Sequence, residues 1–321
     1  MWPGSQISNL LMPESLRPSV AVILINWNNY EDSKKCLISL QKCTYGNFLP
    51  IVVDNLSQDG SGQKLAEEFG DFAHFIFNPA NLGFSGGNNS GFRYALEKGF
   101  DYAMELNNDT EVEPDFLEKL VFSIHDKEEF AAAQPLIYYN QERRHIIWNA
   151  GGKLIAPLGL SLTKLEGTTK PESLLAQETD WITGCAFLIK TSVLRQTGLL
   201  KEFFFFGSFE DVDLSTRIRN AGYKLWFEPT SVIYHSVGNS SKSKVKGKEG
   251  FLNPRVHYLA QRNQMIYIKQ HTSQIFIPLA VLVQLGKMGI YTGYFLARWR
   301  PNKLKLAWKG FWDGLLKTYH D

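Results

Sequence analysis

The sequence predicts an α/β protein with helices on both faces of a mixed, mostly parallel central sheet. Three observations carry that expectation. Apolar, β-branched runs alternate with stretches of helical periodicity over residues 20–125, glycine-bearing polar turns separate them, and the composition, 44% hydrophobic with 21% charged, is that of a chain that packs. At 321 residues the chain is long enough for one large domain plus an appendage.

Val20 to Ile25 reads as a strand, and Tyr30 to Thr44 as a helix with Cys36, Leu37 and Leu40 at helical spacing. Phe48 to Val53 repeats the strand signal, Ser61 to Phe69 is a helix after the turn Ser57 to Gly60, and Phe75 to Phe77 is a short strand. Gly87 to Lys98 follows as a helix, Tyr102 to Leu106 as a strand, and Pro114 to Ile124 as a helix with proline in its first turn. Beyond about residue 130 the pattern loosens into shorter strands, turns at Gly151-Gly152 and Pro157 to Gly159, and a polar stretch from Thr163 to Gln177. Order returns with a strand over Gly184 to Lys190, a helix over Asp211 to Asn220 stopped by Gly222, and a strand over Lys224 to Tyr234 interrupted at Pro229. No internal repeat is evident.

Ile275 to Leu296 is largely apolar, interrupted by Gln284 and Lys287, and reads as a helix that spans a membrane or lies on one. The tail, Arg298 to Asp321, mixes Lys and Arg with Trp299, Trp308, Phe311 and Trp312. That is the composition of a helix in a membrane interface, or of a C-terminal helical subdomain with a basic outer face.

A net charge of +2 is too small for a surface that neutralises a phosphate backbone, so nucleic acid is a poor partner. Cys36, Cys43 and Cys185 fit neither a disulfide framework nor a structural zinc site and are expected to be reduced core thiols. Residues 1–19 have no positive start followed by an uninterrupted apolar stretch, so the chain is expected to stay inside the cell.

In open α/β sheets, ligands collect at the carboxyl ends of strands. The polar segments Asn26-Trp27-Asn28, Asp54-Asn55 and Asn107-Asn108-Asp109 fall at such ends, and Glu210-Asp211 lies in the second half. Asn81 to Gly91 is a glycine-rich turn entering a helix, matching neither the dinucleotide fingerprint nor the Walker pattern. Its backbone N–H groups suit phosphate or ribose oxygens, although a tight turn needing positive φ reads the same way. Hard Mg²⁺ or Mn²⁺ takes oxygen ligands, commonly a carboxylate or two plus substrate phosphates, and Asp109 suits that sparse arrangement. Helix capping by Asp109 or Thr110 is the other reading.

From about residue 20 to 270 the whole pattern resembles glycosyltransferase family 2, in particular its rhamnosyltransferase-type branch. The resemblance rests on an ordered set of motifs: Val20 to Asn28, Ile51 to Gly60, Asn81 to Gly91, Leu106 to Thr110 and Phe209 to Leu214. It implies a GT-A fold, with a Rossmann-like nucleotide-sugar half over 20–125 and an acceptor half over 126–272; residues 1–19 are then an N-terminal extension, and 273–321 is the membrane-associating segment that its composition suggests. By the same resemblance Asp54 accepts from a uracil or thymine edge, Asn26 and Trp27 border the nucleotide, and Asn81, Gly83, Asn88, Asn107 and Asn108 approach the ribose and diphosphate.

It further implies that Asp109 binds Mg²⁺ or Mn²⁺ and that His235 completes the metal site, against the bland reading of a structural histidine. Asn107 stands where the family's Asp-x-Asp has its first acid. Asp211 is implied as the general base of an inverting transfer, and Glu210 and Trp181 as acceptor contacts, with Trp181 alternatively a core aromatic. Asp213 is assigned to capping or to an ion pair with Arg217. The run Phe203 to Phe206 walls the acceptor cleft or belongs to a mobile loop. The implied donor is dTDP-rhamnose or a UDP-sugar, and the acceptor a glycan or lipid-linked glycan at the cytoplasmic side of the membrane.

Rival readings remain. A sugar-phosphate nucleotidyltransferase needs a basic phosphate loop near the N-terminus, which Asn26-Trp27-Asn28 lacks. A glycoside hydrolase would leave Asp54 and the glycine-rich turn unexplained. A carbohydrate-binding scaffold without turnover fits Asn107 but not the retained Asp109, Asp211 and His235.

Overall fold

A computed structural model describes residues 17–205, 208–236, 242–247 and 250–319. Residues 1–16 of the expected N-terminal extension, and Phe206, lie outside the described residues.

The first half alternates as expected: β1 (Val20–Asn26), α1 (Tyr30–Leu40), β2 (Phe48–Asp54), α2 (Ser61–Phe69), β3 (His74–Phe77), α3 (Gly83–Lys98), β4 (Tyr102–Leu106), β5 (Thr110–Val112) and α4 (Phe116–Ile124). The second half supplies β6 (Phe130–Tyr139), β7 (Ile147–Asn149), β8 (Gly152–Ile155), β9 (Leu160–Thr163), β10 (Gln177–Thr179), β11 (Ala186–Lys190), α5 (Thr191–Thr197), α6 (Glu210–Asn220), β12 (Lys224–His235), β13 (Lys242–Gly247) and β14 (Gly250–Leu252). Three helices follow, α7 (Pro254–His271), α8 (Ile277–Ala297) and α9 (Pro301–Leu316).

The main sheet has ten strands, ordered β10-β12-β6-β11-β4-β1-β2-β3, with β5 on β12 and β7 on β6. Strands β4, β1, β2 and β3 run parallel, β11 is antiparallel to both β4 and β6, and β6 and β12 are again parallel. Successive residues of β1 serve opposite faces, as strand geometry requires. Val20, Val22 and Leu24 pack with Leu37 and Leu120, while Ala21 and Ile23 pack with Phe92 and Leu214. Gly91 lets α3 sit directly on β1, because a Cβ there would lie 2.4 Å from Ile23 Cγ2.

Several expectations shift. Helix α3 begins at Gly83, so most of the glycine-rich segment forms the opening turns of a helix and not a loop. Pro114 precedes α4 instead of opening it. The supposedly loose region after residue 130 contains β6, ten residues long and central to the sheet. Its Ala131-Ala132-Ala133 run and Pro135 carry little β propensity, yet small side chains fit beneath close-packed neighbours. Residues 228–232 of β12 form the irregularity expected around Pro229.

The tail is helical and packs against α7, as either reading allows. Helix α9 packs against α7 so closely that a Cβ on Gly310 would meet Tyr258 O at 2.1 Å and one on Gly314 would meet Arg262 O at 2.4 Å. Met265 and Ile268 of α7, Ala280, Met288 and Phe295 of α8, and Ala307 and Phe311 of α9 form their own core. The stretch Gln274–Ala297 has mean hydropathy 1.6 and is long and apolar enough, by length and composition, to cross a membrane.

Candidate active site

The carboxyl ends of β1, β2 and β4 open on a cleft of about 440 Å³. Of the expected site residues, Trp27, Asn81, Gly83, Asn88, Asn107, Asn108, Asp109, Glu210, Asp211 and His235 line it. Asn55 shapes the entrance: its amide donates to Gly83 O at 2.9 Å and its carbonyl accepts from Leu82 N–H at 3.1 Å. Gly83 has φ of +70° and touches the backbone of Phe205, whose oxygen would lie 2.3 Å from a Cβ. Phe205 thus braces this turn, and Phe204 beside it is fully buried.

Asn26 and Asp54 do not line the cleft. The β1–β2 register sets them side by side, and Asn26 Nδ2 donates to Asp54 Oδ1 at 2.9 Å and to Ser61 Oγ at 2.8 Å. Asn26 Oδ1 accepts from Ser33 Oγ at 2.9 Å, and the residue is completely buried. Expected to border the nucleotide, Asn26 instead braces the strand ends, because its amide is spent on protein partners. Asp54 stands just behind the wall and also accepts from Ser57 N–H at 3.0 Å.

Strand β5, absent from the sequence reading, explains how Asp109 and His235 meet. Its pairing with β12 places His235 opposite Thr110, bringing His235 Nε2 to 3.0 Å from Asp109 Oδ1. Asn107 Nδ2 lies 3.3 Å from the same ring nitrogen. Asn107 Oδ1 and His235 Nδ1 are buried with no hydrogen-bond partner, an orphaning that a native site tolerates only for a reason. Among the described residues, no group of three or more His, Cys, Asp or Glu side chains is placed to hold a metal. One carboxylate, one imidazole and one amide oxygen nevertheless fit a hard divalent cation that draws its remaining ligands from substrate phosphates.

A second cavity of about 230 Å³ adjoins the first, and Trp148, Thr183, Ser208 and Asp211 line both. Trp181 lines only this second one, at 7% exposure. It packs with Val212 and Tyr267, and a Cβ on Gly152 would lie 2.0 Å from its ring. Trp148, which the sequence reading missed, is the tryptophan between the cavities, set edge-on to His235 at 4.4 Å between ring centroids.

Asp211 sits in the first turn of α6, where Gly184 N–H donates to Oδ2 at 3.0 Å and Val212 N–H to Oδ1 at 2.8 Å. Burial nevertheless pushes its carboxyl upward, and burial together with Asp211 pushes Glu210 upward. A third acid, Glu105 on β4, is 1% exposed, with Oε1 accepting from Asn88 Nδ2 at 2.6 Å and Oε2 unpartnered. Burial, then the charges of Glu210 and Asp211, hold it well above the usual carboxylate range. A lone glutamate in an otherwise apolar strand was the sequence signal for it. Asp213 points away, bonded to Arg217 Nε at 2.8 Å and to His271 Nε2 at 2.7 Å.

The family model described as "Glycosyl transferase family 2" matches residues 21–198. The chain belongs to glycosyltransferase family 2. Within the family, it is 29% identical over 213 residues to the low-salt glycan biosynthesis hexosyltransferase Agl10 of Haloferax volcanii, a match covering 64% of this chain and 63% of that relative. The fold, of GT-A type, is similar to that of the mannosyltransferase PcManGT from Pyrobaculum calidifontis, solved with GDP-Man and Mn²⁺, at TM-score 0.57 and 14% identity over 96% of this chain and 92% of that one. It is also similar to GalNAc-T7 solved with UDP, GalNAc and Mn²⁺, at TM-score 0.57 and 20% identity over 68% of this chain and 43% of that one.

Proposed function

We propose that this family 2 protein is an inverting, divalent-metal-dependent glycosyltransferase. It moves a sugar from a nucleoside-diphosphate sugar, dTDP-rhamnose or a UDP-sugar, to a hydroxyl of a lipid-linked glycan. One observation carries the reading: Asp211 lines both cavities, the larger containing the Asp109–His235 pair and the smaller bounded by Trp148 and Trp181. A base must stand where the acceptor oxygen meets the anomeric carbon, and Asp211 occupies that boundary.

The larger cavity takes the donor and the smaller the acceptor. The backbone N–H groups of Gly184 and Val212 aim the Asp211 carboxylate, which takes the proton of the acceptor hydroxyl as that oxygen bonds to the anomeric carbon. The bond from that carbon to the diphosphate breaks on the opposite side, so configuration inverts without a covalent enzyme intermediate. Asp109, His235 and Asn107 would hold Mg²⁺ or Mn²⁺, which supplies Lewis-acid stabilisation to the departing diphosphate. The relatives' nucleotide ligands and Mn²⁺ support a metal-assisted nucleotide-sugar donor. Residues 20–272 form the transferase domain in this reading, and residues 273–321 meet the cytoplasmic side of the membrane, supported by the apolar stretch Gln274–Ala297.

The test is a panel of UDP-, GDP- and dTDP-sugars with Mg²⁺ or Mn²⁺ and membrane lipid extract as acceptor, following released nucleoside diphosphate. Metal-dependent release from one donor, lost in Asp211→Asn, is expected. No turnover of any donor, or full activity in Asp211→Asn, overturns the reading.

A further inference from the structure

Helix α8 is tied to the rest of the protein along one stripe. Ala280, Gln284, Met288 and Phe295 are its buried residues, and Lys287 Nζ donates to Gln264 Oε1 of α7 at 2.7 Å. The opposite side is apolar and uncovered among the described residues. Leu282 is 64% exposed, Ile290 74% and Leu296 61%, and Gly286, Gly289 and Gly293 have nothing within 4 Å of where a Cβ would stand. Between Thr272 and Trp312 the chain has six basic residues and no acidic one. Trp299, 87% exposed, lies between Arg298 and Arg300 in the turn to α9.

We propose that α8 lies in the plane of an anionic membrane surface, its Leu282–Ile290 face in the lipid and its Lys287 stripe on the protein. This deepens the membrane contact proposed above and rests on it. A crossing helix would carry Lys287, Gln284 and the attached α7 into the hydrocarbon, where charged and amide groups are costly. A helix in the interface keeps those groups on the protein side, sinks only one apolar face, and leaves Arg298, Trp299 and Arg300 at headgroup level. Of the six, Lys287 faces the protein and Lys303 is buried, so Arg298, Arg300, Lys305 and Lys309 give the surface its sign.

The geometry also joins this surface to the acceptor cavity. The tip between β8 and β9 is clamped beneath the helices: Gln264 Nε2 donates to Gly159 O at 3.2 Å, Thr272 Oγ1 donates to Ala156 O at 3.4 Å, and Gly159 packs against Ile268 and Ala280. Ser161 and Thr163 of the same hairpin line the 230 Å³ cavity. An acceptor carried by a lipid therefore reaches Asp211 by way of one short hairpin from the bilayer.

The experiment uses the full chain with preformed phosphatidylcholine vesicles, with and without phosphatidylglycerol, separated by flotation in the absence of donor. Binding to the anionic vesicles is expected, falling by at least about tenfold in Leu282→Asp/Ile290→Asp. Thermal melting checks that the variant folds, since both positions are exposed. No flotation with either vesicle, or flotation that the double variant leaves unchanged, overturns the lipid assignment. A concentration-dependent dimer that buries this face without vesicle binding overturns it equally. The in-plane orientation is read separately in the vesicle-bound protein. Ser273→Cys and Trp299→Cys, each in a Cys43→Ser background because Cys43 is partly exposed, are treated with a membrane-impermeant maleimide from outside; the remaining native Cys36 and Cys185 are buried. Labelling of both is expected, and labelling of only one means that α8 crosses. Donor turnover with a detergent-solubilised acceptor is measured independently, so failure here and failure of the transferase reading are distinguishable.

Discussion

His235 Nε2 lies 3.0 Å from Asp109 Oδ1, although Asp109 stands in the turn before β5 and His235 ends β12, far later in the chain. The β5–β12 pairing, continued by Ser236 N–H donating to Asp109 O at 2.9 Å, brings them together. If this pair holds the cation that grips the diphosphate, Asp109→Asn removes its only anionic protein ligand. Binding of nucleoside diphosphate in Mn²⁺, measured by calorimetry, is expected to weaken by about 10- to 100-fold, with weak metal-free binding unchanged. Equal loss with and without metal would assign Asp109 to nucleotide contact instead.

Asp211→Asn keeps both backbone N–H groups near the side chain but removes the proposed base. Turnover is expected to fall by about 10²- to 10⁴-fold with donor affinity and melting temperature unchanged.

The pH dependence has a definite sign. The proposed base must be deprotonated to act, and burial raises Asp211 and Glu210 together, so activity is expected to be lost as pH falls through a limb above the ordinary carboxylate range. Glu210→Gln removes the neighbouring charge and is expected to move that limb to lower pH. A limb that stays in place shows that Glu210 carries no charge where Asp211 titrates.

Glu105 bears on stability. Its carboxyl is held above its unfolded value, so its contribution is present below the ordinary carboxylate range and is lost as pH rises through the raised value. Glu105→Gln retains an oxygen for the Asn88 amide and has no charge to bury. Its melting temperature is expected to exceed that of the wild type at alkaline pH and to approach it in acid.

Gly83→Ala meets two penalties, a φ of +70° and the Phe205 oxygen 2.3 Å from the new carbon. The turn must shift, at a cost of about 1–3 kcal/mol. Nucleotide release is expected to drop while the rest of the sheet retains its hydrogen-exchange protection.

The parallel half was legible because its strands are apolar on both faces and its motifs sit where those strands stop. Asn107 to Asp109 could be placed at a strand end without knowing what stood opposite. Strand β6 was not legible, because alanines and a proline hide a strand whose partners, β11 and β12, lie far away in sequence. Trp148 was missed for a related reason: it sits on a three-residue strand too short to show a period, and only pairing with β6 points it at His235. The converse error was Asn26, whose position in a motif concealed that its amide is consumed inside the protein.

Asp211 and Asp213 stand two positions apart on one helix, one facing the cavities and the other clamping Arg217 and His271. A growth-based mutational screen would score both as indispensable and rank them together. A folding readout separates them: loss of Asp213 takes the carboxylate from Arg217, which keeps only its backbone carbonyl partners, and from His271, and is expected to lower the soluble yield, whereas loss of Asp211 is expected to leave a well-folded protein of greatly reduced turnover. The two acids of this short segment thus answer to different selective pressures, and substitutions tolerated at one are no guide to the other.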